Sequence, residues 1–115
     1  MEMKADAKLL RIFLGESDRV NHTSLYEVIV QEARDLGLAG ASVWRGIMGF
    51  GPTARIRTAR ILDLSTDLPI IVEIVDEEDK INQFLPVLDE LFESAHSGGL
   101  ITMENIKVIK YLHGK

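Results

Sequence analysis

The chain has no cysteine among its 115 residues, which excludes disulfides, thiolate metal centres and cysteine nucleophiles. The same absence fits a reducing compartment. No apolar run approaches the roughly 20 residues needed to span a bilayer. The opening Met1-Glu2-Met3-Lys4-Ala5-Asp6 is charged and lacks the apolar core of a signal peptide. Together these features place the chain in the cytoplasm. Positive charge is also scarce: 13 Lys and Arg stand against 18 Asp and Glu, a formal net charge of −5. A general nucleic-acid binder relies on neutralising phosphates, so this balance argues against one. There is no repeat, low-complexity stretch or linker, and residues 1–115 read as one domain.

What is present suffices for a core, since 46% of the residues are apolar. In residues 7–14, Leu10, Ile12 and Leu14 alternate with Leu9, Arg11 and Phe13. Both faces are largely apolar, as in a central strand. Ser24-Leu25-Tyr26-Glu27 has the form of a capping box with Ser24 at N-cap. Leu25, Ile29, Ala33 and Leu36 follow at helical spacing, and Gly37 supplies the left-handed stop. Residues 41–50 are β-branched and aromatic and end in three glycines, a second strand entering a hairpin. Residues 55–62 alternate polar and apolar, as a returning arm would. Residues 70–75 are nearly all apolar and form the third strand. Asp76 caps a second helix with the stripe Ile81, Leu85, Leu88, Phe92 and Ala95. Pro86 falls inside it, so a kink is expected near Asn82. After Ser97-Gly98-Gly99 the last strand is placed within residues 100–112, at 106–112.

The order strand, helix, strand, strand, helix, strand gives an α+β domain of ferredoxin-like βαββαβ type. It has a four-stranded antiparallel sheet, both helices on one face and a long hairpin between the second and third strands. The uncovered face, with Ser42, Trp44, Met48 and Phe50 or their alternates, has to be buried elsewhere, most simply against another subunit.

Two features could carry chemistry. Arg45-Gly46-Ile47-Met48-Gly49-Phe50-Gly51-Pro52 is neither a dinucleotide fingerprint nor a Walker loop. Its glycines suit either a bending strand or the close approach of phosphate oxygens to backbone amides. Arg55, Arg57 and Arg60 follow, with no acid between Gly51 and Ile61. They suit either a solvated arm or bidentate grip of phosphate and carboxylate. The Ser97-Gly98-Gly99 turn is explained by helix termination unless the fold brings it near residues 46–51. Histidines 22, 96 and 113 lack metal spacing. No serine–histidine–aspartate signature appears, and nothing demands an enzyme.

The stretch Gly37-Leu38-Ala39-Gly40-Ala41-Ser42-Val43-Trp44-Arg45-Gly46-Ile47-Met48-Gly49-Phe50-Gly51 resembles a family of PII-like signalling proteins of unassigned function, related to nitrogen-regulatory PII proteins. Leu25-Tyr26-Glu27, Asp67-Leu68-Pro69-Ile70-Ile71-Val72-Glu73-Ile74-Val75-Asp76 and Gly99-Leu100-Ile101-Thr102-Met103-Glu104 fit the same pattern, so the likeness runs from Lys8 to Tyr111. It implies a homotrimer with its sheets facing inward. It also implies an adenine nucleotide, ADP or ATP, bound in clefts between subunits, and a loop at about 51–61 that docks on a membrane transporter or enzyme. The implied nucleotide- or phosphate-binding set is Arg45, Gly46, Gly49, Phe50, Gly51, Arg55, Arg57, Gly98 and Gly99. This chain departs from true PII proteins in lacking their longer Thr-Gly-x-x-Gly-Asp-Gly-Lys turn and the loop tyrosine that carries uridylylation in some of them. The resulting expectation is a non-enzymatic, nucleotide-responsive regulator. Its alternative is a trimeric module for a small anion or metal, the metal version drawing on His22 or His96.

Overall fold

The structure, a computed structural model, describes residues 3–59 and 67–114. Its centre is β1 (Asp6–Gly15), whose alternation sends Leu10, Ile12 and Leu14 to one side of a sheet and Leu9, Arg11 and Phe13 to the other. β4 (Ala41–Arg45), β7 (Pro69–Asp76) and β8 (Leu100–Lys107) complete that sheet in the order β4-β7-β1-β8. Every pairing is antiparallel: β1 meets β7 with Ile12 opposite Val72, and β8 with Ile12 opposite Ile101. β4 meets β7 with Val43 opposite Val72. The chain elements preceding β4 include a two-residue ladder of β2 (Arg19–Val20) with β3 (Thr23–Ser24). A second such ladder, β5 (Met48–Gly49) with β6 (Arg57–Thr58), closes the base of the expected hairpin.

α1 (Leu25–Asp35) and α2 (Glu78–Ala95) pack on the Leu10–Ile12–Leu14 side. Their stripes, Leu25, Ile29 and Ala33 from α1 and Ile81, Phe84 and Leu88 from α2, join Ile70, Val72 and Ile74 in one core. Most of these side chains are fully removed from water, each a gain of about 1.5–3 kcal/mol for the larger ones. This is the expected ferredoxin-like α+β architecture.

Local details differ from the sequence pattern. Ser24 occupies the N-cap of α1, but its side chain makes no capping hydrogen bond. The first helical amide, Leu25 N–H, donates instead to the Asp18 carbonyl at 2.7 Å. Gly37 does take the left-handed conformation after α1, with φ +78°. At α2 the N-cap is Glu77, one residue later than expected. Asp76 is instead a buried end of β7, its carboxylate accepting from Glu77 N–H at 2.7 Å and from Ala39 N–H at 2.9 Å. It ties the start of α2 to the loop before β4. α2 runs through Pro86 as one helix and ends on His96, which adopts the left-handed conformation rather than Gly98.

The last strand lies at Leu100–Lys107, not at 106–112. Residues beyond it cross the open side of the sheet as a strap. Val108 N–H donates to the Ala5 carbonyl at 2.7 Å, and the Tyr111 hydroxyl donates to the Ala39 carbonyl at 2.8 Å. In this segment Val108 and Tyr111 are half-buried, whereas Ile109 and Leu112 are 90% and 77% exposed. Among the described residues, no helix is long and apolar enough to cross a membrane.

Candidate functional site

The glycine-rich and arginine-rich segments gather at the end of the sheet where β1 stops and β7 begins. Gly46 N–H donates to the Pro69 carbonyl at 2.7 Å, so the chain leaving β4 turns across the start of β7. A Cβ on Gly46 would stand 3.3 Å from Pro69 Cβ, and one on Gly49 would stand 3.1 Å from Pro69 Cγ. The hairpin base therefore rests on the proline ring, and these two glycines permit the contact. Ala59 N–H donates to the Ile47 carbonyl at 2.9 Å and extends the ladder of β5 with β6.

Beyond the ladder the hairpin reaches the turn between α2 and β8. Pro52 Cγ lies 3.2 Å from where a Cβ of Gly98 would be. Gly99 is held more tightly still, since a Cβ there would come within 2.7 Å of the Phe13 carbonyl oxygen. Gly98 and Gly99 thus let two backbone segments approach, one of them the hairpin. Gly51 has open space around it, and Phe50 is 71% exposed.

The arginines divide. Arg45, at the end of β4, pairs with Glu16 at 2.5 Å, and Arg57, in β6, pairs with Asp67. Arg55 is exposed and makes no ion pair among the described residues. Arg60 lies outside the described residues. Glu16 and Asp67 had no signal in the sequence, being acids 51 positions apart that resemble ordinary surface charge. Backbone and side chains lock the two together. Glu16 N–H donates to the Leu68 carbonyl at 2.9 Å, Leu68 N–H donates to Glu16 Oε1 at 3.2 Å, and Ser17 N–H donates to Asp67 Oδ1 at 3.1 Å. Each carboxylate uses one oxygen on the backbone and the other on an arginine. Two guanidinium groups from opposite arms of the hairpin are thereby drawn to the same strand end.

The open face of the sheet begins beside this cluster. Its first row crosses all four strands as Trp44, Ile71, Phe13 and Leu100, and the next as Ser42, Glu73, Arg11 and Thr102. Trp44 and Leu100 are each 57% exposed. Arg11 bridges Glu73 at 2.9 Å and Glu104 at 2.6 Å. Its guanidinium is held more firmly protonated than usual, chiefly by the hydrogen bond to Glu73. Glu73 is therefore the partner of a fixed cation. Farther along the face lies an open groove of about 480 Å³, lined by Leu9, Trp44, Glu73, Val75, Lys110 and Tyr111, among others. Among the described residues no three His, Cys, Asp or Glu side chains gather to hold a metal ion.

Residues 7–108 match the DUF190 family, described as an uncharacterized ACR. A UPF0166 protein from Aquifex aeolicus is 42% identical over 102 residues, covering 89% of this chain and 92% of the relative. A UPF0166 protein from Methanocaldococcus jannaschii is 36% identical over 104 residues, covering 90% and 93%. Among solved structures, the chain is similar to CPII, a nitrogen regulatory PII-like protein from Thiomonas intermedia K12 bound to ADP, AMP and bicarbonate. The TM-score is 0.69 at 17% identity, with 91% of this chain and 90% of that one covered. At that identity the likeness is one of fold.

Proposed function

The chain belongs to the DUF190 family, and from that premise we propose that it is a non-enzymatic PII-like regulator. It acts as a homotrimer that binds an adenine nucleotide, ADP or ATP, in clefts between subunits. It signals from the cytoplasm to a membrane transporter or enzyme through the loop at about 51–61. The observation that carries this reading is the meeting of Pro52 with Gly98. It joins the arginine-bearing hairpin to the second glycine turn, so an anion held at one alters the seat of the other. The ADP bound to the similarly folded CPII supports the choice of ligand, and the exposed apolar row through Trp44 and Leu100 supports self-association.

Isothermal titration of ADP, ATP and AMP tests the proposal, at protein concentrations that keep the oligomer intact. A saturable heat with at least one nucleotide is expected. No heat with any of the three would sink the nucleotide reading.

A second reading, a small-anion module without nucleotide response, is favoured by one observation. Arg45 and Arg57 are each already matched to a single carboxylate. Heat from bicarbonate, and none from the nucleotides, would select it. No metal version is proposed, because the described residues supply no ligand cluster.

A further inference from the structure

We propose that Glu16 and Asp67 are built-in competitors at the anion site, holding Arg45 and Arg57 until a multiply charged phosphate group takes the guanidiniums from them. The inference rests on the nucleotide reading for the identity of the natural ligand, but not for the competition itself.

The two partners of each pair differ in how firmly they are held. Glu16 is fixed by two backbone hydrogen bonds to Leu68, one through its own amide and one through Oε1, and its side chain is only 12% exposed. Arg45 reaches it from the edge strand with a side chain 59% exposed. An arriving anion therefore meets the guanidinium from solvent, while the carboxylate stays where it is. The Asp67 side chain is fixed in the same manner by Ser17 N–H, and it holds Arg57 in a more covered pair.

A guanidinium presents its donors in a planar fork that fits carboxylate and phosphate alike. The internal carboxylates thus occupy the geometry a phosphate would use, each with a single negative charge. Removing Arg45 leaves Glu16 Oε2 without its partner inside a largely buried setting, which costs free energy. An anion has to offset that cost. A diphosphate, with more charge and more acceptor oxygens, does so better than a monophosphate or bicarbonate. Glu16 and Asp67 are thus specificity-determining residues that set a charge threshold. The same exchange releases the side-chain ties of Arg45, just before the ladder of β5 with β6, and of Arg57, within it, while the bond from Gly46 N–H to the Pro69 carbonyl keeps the hairpin base in place.

The competition makes a prediction opposite to that of a supporting role. In the full-length chain, Glu16→Gln should bind pyrophosphate and ADP about five-fold more tightly, the order expected for loss of one partly exposed competing ion pair. Its preference for ADP over AMP should shrink as well. Asp67→Asn should act in the same direction, and circular dichroism confirms that each variant is folded. The titrations use ADP, AMP and pyrophosphate on wild type and both variants. Unchanged or weaker pyrophosphate binding in both folded variants overturns the proposal, and so does failure of all three proteins to bind it. A wild type that ignores ADP, with variants that bind pyrophosphate more tightly, ends the nucleotide reading and leaves the competitors standing.

Discussion

The two faces of the sheet are built from the same strands and the same kinds of residue, yet only one is finished within the chain. On the helix side, Leu10, Ile12, Val72 and Ile74 meet Phe84, Leu88 and Ile29 with no exposure to water. On the other side, Trp44, Phe13, Ile71 and Leu100 form an apolar row that ends in exposed side chains at both edges. A charged cluster of Arg11, Glu73 and Glu104 lies beside it. The difference separates stability from assembly. The helix face supplies the free energy that folds the chain, while the open face, crossed among the described residues by the 108–114 strap, retains apolar surface suited to a second copy.

That contrast can be broken by three substitutions, in decreasing order of their effect on the chain itself. Phe84→Ala on the helix face should lower unfolding free energy by about 3–5 kcal/mol, since it leaves a cavity in a core without slack. Denaturant unfolding measures this, and a loss under 1 kcal/mol would show that the helix face is not the main source of stability. Tyr111→Phe removes the strap's hydrogen bond to Ala39 and should cost about 1 kcal/mol by the same method. Trp44→Glu should change the stability of an isolated chain by about 0.5 kcal/mol or less, because the side chain is already exposed. Sedimentation velocity should nonetheless show it shifted to a smaller species than the wild type. Unaltered sedimentation would mean that this row is not an assembly surface.

The order of elements was legible in the sequence because periodicity is local. β1 and β7 announce themselves through Leu10, Ile12, Leu14 and the 70–75 run, and the stripe from Ile81 to Ala95 identifies α2. What failed was detail at the ends of elements. Ser24 stands where a capping box would put it, but its side chain makes no capping hydrogen bond. Val108 still bonds the Ala5 carbonyl beside β1, but Tyr111 is tied through its hydroxyl to Ala39 before β4 and not through a strand ladder. The candidate site was legible on its cationic side alone. Arg45 and Arg57 stand in a segment poor in acids, while Glu16 and Asp67 reach them from the far ends of β1 and β7. No spacing rule links residues so distant, so the carboxylates emerge only once the strands are paired.

The central position of β1 also governs how the chain must come together in time. Its register partners are remote: Arg11 is 62 residues from Glu73 and 93 from Glu104. At a synthesis rate of about 5–20 residues per second, the first of these appears roughly 3–12 s after the strand it pairs with. Through that interval, an apolar strand with two unsatisfied edges waits beside the ribosome, with α1 as its earliest neighbour. Pairings so distant in sequence close slowly, and the strand emerging first is the last to gain both neighbours. Nascent β1 therefore presents, until β7 and β8 emerge, the kind of apolar unpaired strand that makes a folding chain prone to aggregate.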